Sequence, residues 1–129
     1  MPEPALDGPD DLPLSTSDLL RTGFSADSDT GDGTIVLTLQ GELDMATAPG
    51  LGQAINQALD TLPTSLRLDL SELSFLDSTG IRVLIAGCRR AAVQGCSFIL
   101  ASPSRSVLKA LRLTGVDRLM VIEGGRPDS

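Results

Sequence analysis

The chain has 129 residues, 41% of them hydrophobic, which suffices for one domain around one core. Seventeen Asp and Glu against ten Lys and Arg leave a formal net charge of −7, the wrong sign for a protein that must neutralise a phosphate backbone, so no direct nucleic-acid partner is expected. His is absent, which removes the usual general base near neutral pH and the commonest zinc ligand, and with them a Ser-His-Asp hydrolase.

Only 2% of residues are aromatic, with neither Trp nor Tyr, so the core must be aliphatic and stacking platforms for single strands are missing. Cys88 and Cys96 stand without companion ligands or a secretory signal. They read as small buried hydrophobes in a reduced, cytoplasmic setting, with no metal and no cofactor. No stretch approaches the roughly 20 apolar residues that cross a bilayer, so no membrane association is expected.

In chain order, residues 1–15 combine prolines, acids and small polar residues and read as a flexible acidic tail. "DLLRTGFSA", residues 18–26, pairs as an edge strand with "TIVLTLQGEL", residues 34–43, across a loop of acids and glycines. Leu51, Ala54, Ile55, Leu59 and Leu62 then recur at helical spacing, with Pro49 in the first turn and Pro63 as the stop. "SLRLDL", residues 65–70, alternates as a strand.

From Thr79 to about Gln94, Ile81, Leu84, Ile85, Cys88 and Ala92 form one helical face, and Gly95 ends it. "CSFILAS" is the next strand, "SRSVLKALRLTG" a helix capped by Ser104 or Ser106, and "LMVIEG" the last strand. The order β, β, α, β, α, β, α, β with short connections predicts an α/β fold: a mixed, mostly parallel sheet packed with amphipathic helices. The domain is expected over residues 16–124, with 125–129 as a C-terminal tail.

Function at such sheets gathers where strands end and helices begin. "SFLDSTGIR", residues 74–82, lies at one of those ends. Asp77 or Ser78 can supply the oxygen that caps the helix, whose first N–H groups lack partners. A cap alone leaves Thr79 and Gly80 unexplained. Both are weak helix formers, and they point to close approach by a partner surface or to exposed hydroxyls. No phosphate-cradling glycine motif and no base for a nucleophilic serine is present, so no catalysis is expected.

"GELDMATA" at 41–48, "LRLDLSELSFLDSTGIRVLIAGCRRAA" at 66–92 and "LKALRLTGVDRLMVIE" at 108–123, in that order, resemble the anti-anti-sigma factors, or anti-sigma factor antagonists, of the STAS superfamily. The resemblance covers residues 16–124. It implies a cycle in which the unphosphorylated protein binds an anti-sigma factor that is also a serine kinase and so frees a sigma factor. Phosphorylation of the serine after the aspartate, here Ser78, breaks the complex, and a serine phosphatase restores it. Asp44, Asp77, Ser78, Thr79, Gly80 and Arg82 are then the candidate partner surface, on a monomer or weak dimer.

Two of these residues have a second reading. Asp44 equally suits a turn or cap before the helix that begins near Ala46. Arg82 departs from the family's D-S-[ST]-G-[LI]-G pattern, where a small residue stands. Four residues after Ser78, it either pairs with a phosphate, selects a particular kinase, or is a solvated helix residue. The alternative function is a constitutive STAS scaffold or sensor module in which the hydroxyls only cap the helix.

Overall fold

The computed structural model of the protein describes residues 24–27 and 33–124. Along the chain run β1 (Phe24–Asp27), β2 (Thr34–Leu43), α1 (Ala48–Asp60), β3 (Ser65–Leu76), α2 (Ser78–Val93), β4 (Ser97–Ala101), α3 (Arg105–Leu113), a 3-10 turn (Val116–Arg118) and β5 (Val121–Glu123). This is the α/β order expected from the sequence. The expected tails and the remainder of the first strand, residues 18–23, lie outside the described residues.

The strands lie in the order β1-β2-β3-β4-β5. β1 pairs antiparallel with β2, Phe24 opposite Leu39, and the other neighbours are parallel. Every parallel step moves the same way across the sheet, so right-handed crossovers put the three helices on one face. Registered rows confirm it: Leu37, Leu68 and Leu100 share one buried row, as do Leu66 and Phe98. The opposite face carries the half-buried row Val36, Arg67 and Ile99, and Arg67 pairs with Glu123 at 2.7 Å.

Among the described residues, the twelve largest fully buried side chains are all leucines but Ile55. With so few aromatics in the sequence, apolar burial at about 1.5–3 kcal/mol per large aliphatic side chain is what drives folding. α1 and α2 meet at Gly87, where a Cβ would come 3.0 Å from Ile55 Cγ2. Arg90 then ties the helices at their far ends through Asp60 and the Asn56 side chain.

β3 is longer than the alternation at residues 65–70 predicts. Its register against β2 shifts twice, between Thr38 and Gln40 and between Gly41 and Glu42, with the extra residues on β3. These bulges change the burial period from two to three, so Leu70, Leu73 and Leu76 point inward. Gly41, at φ +82, makes the matching bend in β2, and its carbonyl accepts the Ser74 hydroxyl at 2.9 Å. The result carries β3 outward to the start of α2.

Candidate functional site at the start of the second helix

Asp77 is the N-cap of α2. Its backbone is extended, and its Oδ1 accepts the amides of Thr79 at 2.9 Å and Gly80 at 3.1 Å. Two of the helix's unpartnered donors are thereby satisfied by one carboxylate oxygen. Of the two capping residues the sequence allows, Asp77 does the work. Ser78 is the first helical residue; it is exposed, and its hydroxyl has no hydrogen-bond partner among the described residues.

Thr79 is half-buried, and Arg82 is exposed one turn further along the helix. Arg82 makes no ion pair among the described residues. The sequence points to close approach by a partner surface; Gly80 is instead buried, and its close neighbours lie inside the protein. A Cβ there would lie 2.6 Å from Leu43 Cγ and 2.8 Å from Leu76 Cδ1.

Asp44 stands beside this helix mouth because the Asp77 amide donates to the Leu43 carbonyl at 3.1 Å, tying the end of β2 to the start of α2. Its carboxylate accepts the amides of Ala46 at 3.0 Å and Thr47 at 3.1 Å. Thr47 Oγ1 in turn accepts the Asp44 amide and donates to the Glu42 carbonyl, both at 2.9 Å. This turn delays α1 to Ala48, two residues past the expected start. Asp44 thus holds the turn and lies half-buried at the same end of the sheet as Ser78.

Met45, directly after Asp44, is 74% exposed, and Phe75, two residues before Asp77, is 47% exposed. Neither is among the residues that the sequence singles out. The available sign was that neither fits the helical or alternating period around it. Between α3 and the end of β3 a groove of about 280 Å³ is lined in part by Phe75, Leu76, Lys109 and Leu113. Ser104 caps α3 and also donates to the Leu73 carbonyl at 3.3 Å, fixing that helix start against β3.

Among the described residues, no three Cys, Asp or Glu side chains gather where they could hold a metal ion. None of their helices is long and apolar enough to cross a membrane. Burial pushes the Cys88 and Cys96 thiols above their ordinary range; for Cys96 a hydrogen bond with the Leu66 backbone partly opposes it. Neither thiol belongs to the helix mouth.

Fold and site together define a small α/β domain that presents one unengaged serine hydroxyl where a capped helix leaves the sheet. The family model described as "Mlab, STAS domain" matches residues 26–122. This chain belongs to the STAS domain family. It is 31% identical over 108 residues to the anti-sigma-F factor antagonist RsfB of Mycobacterium tuberculosis, covering 75% of this chain and 88% of that protein.

Among solved structures, an anti-sigma factor antagonist from Mycobacterium paratuberculosis matches with a TM-score of 0.65 at 30% identity, over 79% of this chain and 86% of that one. The anti-sigma factor antagonist SpoIIAA of Bacillus matches in two states. Its unphosphorylated form gives a TM-score of 0.64 at 28% identity, covering 78% of this chain and 87% of that one. Its phosphorylated form gives 0.59 at 27%, covering 78% and 90%.

Proposed function

We propose that this protein is an anti-sigma factor antagonist switched by phosphorylation at Ser78. Unphosphorylated, it binds an anti-sigma factor with serine kinase activity and frees a sigma factor. Phosphorylated, it lets go, and a serine phosphatase returns it to the binding state. The protein acts as a binding module in this cycle; the kinase supplies the chemistry.

The observation that carries this reading is the division of labour at the start of α2. Asp77 already caps the helix, so the exposed Ser78 hydroxyl is not needed for capping and is free to be modified. The names of the relatives support the antagonist role, and the two states of SpoIIAA support a phosphorylation switch in this fold.

A phosphoserine adds about −1.5 to −2 charges and three acceptor oxygens. The helix dipole favours an anion at this position, so the fold survives the modification. For a partner the effect is opposite. The Asp77 carboxylate already occupies the Thr79 and Gly80 amides, so the phosphate charge stays outward, beside Asp77 and near Asp44. A surface shaped around a neutral hydroxyl, resting on Thr79, Arg82 and the exposed Met45, then meets an unpaired dianion. Losing about 1.4 kcal/mol already weakens a complex tenfold.

Incubation with the cognate anti-sigma kinase and ATP tests the reading. Intact-mass analysis should show one phosphate, absent from Ser78→Ala, and titration calorimetry should show at least tenfold weaker binding for the phosphorylated form. Equal affinity of Ser78→Asp, phosphorylated and wild-type protein would leave only the constitutive scaffold.

A further inference from the structure

The end of the molecule remote from Ser78 exposes two large aliphatic side chains. α1 and α2 both finish there, beside the amino ends of β3 and β4. Leu62, two residues past α1, is 75% exposed, and Val93, the last residue of α2, is 88% exposed. The Leu59 carbonyl holds the two helix ends together, because it accepts both the Leu62 amide and the Gln94 Nε2, each at 3.0 Å.

Leu62 is unfavourable for folding in two ways. Its φ of +56 puts a bulky residue in the left-handed region at the end of a helix, where glycine or asparagine is favoured. Pro63 follows it, and the residue before a proline prefers extended backbone. Glycine would relieve the strain and asparagine would add solubility. A strained leucine kept at the surface is accounted for by another surface that covers it.

The neighbouring charges identify that surface. Arg89 stands one turn before Val93, exposed and without an ion pair among the described residues. Asp60, two residues before Leu62, gives Oδ1 to Arg90 while its side chain stays 65% exposed, with capacity for a second guanidinium. One patch thus carries an apolar pair, an unpaired cation and an open carboxylate oxygen. A two-fold contact asks for this combination, since each copy then supplies both halves of every pair. Arg90 and Gln94 brace α1 against α2 through Asn56, Asp60 and Leu59, so the patch is preformed.

We propose that two copies of this chain associate through this end. Leu62 and Val93 of one copy pack against the same residues of the other, and Arg89 of each faces Asp60 of the other. The patch is small beside the roughly 800 Å² per partner of a standard interface, so the dimer is weak, with a dissociation constant on the order of 0.1–1 mM. α2 separates Val93 from Ser78 by about 22 Å, so both Ser78 hydroxyls stay open in the dimer. The association does not depend on how Ser78 is used.

Sedimentation equilibrium of the full chain over about 0.02–2 mM reads the association directly. The mass should rise with concentration toward two copies and no further. Leu62→Gly, which suits the left-handed backbone, should raise the dissociation constant about tenfold while leaving the urea midpoint equal or higher. Val93→Ser and Arg89→Glu, at exposed positions, should each raise it about threefold or more. Met45→Ser, exposed at the Ser78 end, should leave it unchanged. A monomer at every concentration, growth beyond two copies, a dimer untouched by Leu62→Gly and Val93→Ser, or one lost in Met45→Ser would overturn the proposal. A lower urea midpoint for Leu62→Gly would remove the strain on which it rests.

Discussion

Gly80 and Leu43 are packed so closely that a Cβ on the glycine would lie 2.6 Å from the leucine Cγ, inside any real contact. Leu43 is fully buried at the end of β2, and Leu76 Cδ1 would also lie only 2.8 Å from that Cβ. Alanine gains up to about 1 kcal/mol in helix propensity over glycine. Overpacking a core costs about 1–3 kcal/mol, and here it wins. Gly80→Ala should lower stability by about 1–2 kcal/mol in urea unfolding, and Gly80→Val by more. A more stable Gly80→Ala protein would mean that the helix start shifts freely over β2 and β3.

Asp77 and Ser78 are neighbours with opposite sensitivities. Asp77→Ala removes the acceptor of two amides and should cost about 1 kcal/mol, while Asp77→Asn keeps an acceptor and loses little. Ser78→Ala alters an exposed hydroxyl with no partner among the described residues, so its change should stay within about 0.5 kcal/mol. Thermal and urea unfolding of the three variants checks the ordering. A large loss from Ser78→Ala would return Ser78 to a purely structural role.

The sequence made the order of strands and helices legible because each element has a clean period: alternating leucines in β2 and early β3, and three- or four-residue spacing in α1, α2 and α3. It also located the helix mouth at residues 77–80. The end of β3 was not legible, because two bulges replace the alternation after Leu70 with a three-residue burial period that resembles neither a strand nor a helix. Gly80 points in the sequence to a partner surface, whereas its close neighbour is Leu43, which approaches from within and stands far away along the chain. Phe75 lies just past the β3 bulges and Met45 in the turn after β2, and their exposure shows in the sequence only as a break in the surrounding period.

Arg82 gives the phosphorylated state a signature of its own. It is exposed, without an ion pair among the described residues, and four positions after Ser78 on the same stripe of α2. An anion N-terminal to a cation at this spacing is the favourable orientation and contributes about 0.5 kcal/mol. Phosphorylation of Ser78 should therefore raise the melting temperature of the wild type by about 2–4 °C more than that of Arg82→Ala. Scanning fluorimetry of both proteins, with and without the phosphate, measures the difference. Equal shifts would assign Arg82 to solvent or to recognition by the kinase.

The two thiols supply a prediction about pH. Cys88 and Cys96 both titrate above the ordinary 9.0 because burial disfavours the thiolate. Cys88 is half-buried with its Sγ donating to the Leu119 carbonyl at 3.7 Å, and Cys96 is 6% exposed. At pH 7–8 each should react with iodoacetamide more slowly than a free cysteine, and unfolding in guanidinium should abolish the difference. The folded state holds these protons more tightly than the unfolded state does. Their contribution to stability is therefore complete below the unfolded thiol value and is lost as pH rises from there through the raised folded values. Urea midpoints should fall across that alkaline window, and Cys88→Ala/Cys96→Ala should flatten the fall. Rapid alkylation of the native protein at pH 7 would show that the strands and helices around Leu66 and Leu119 open far more often than their burial implies.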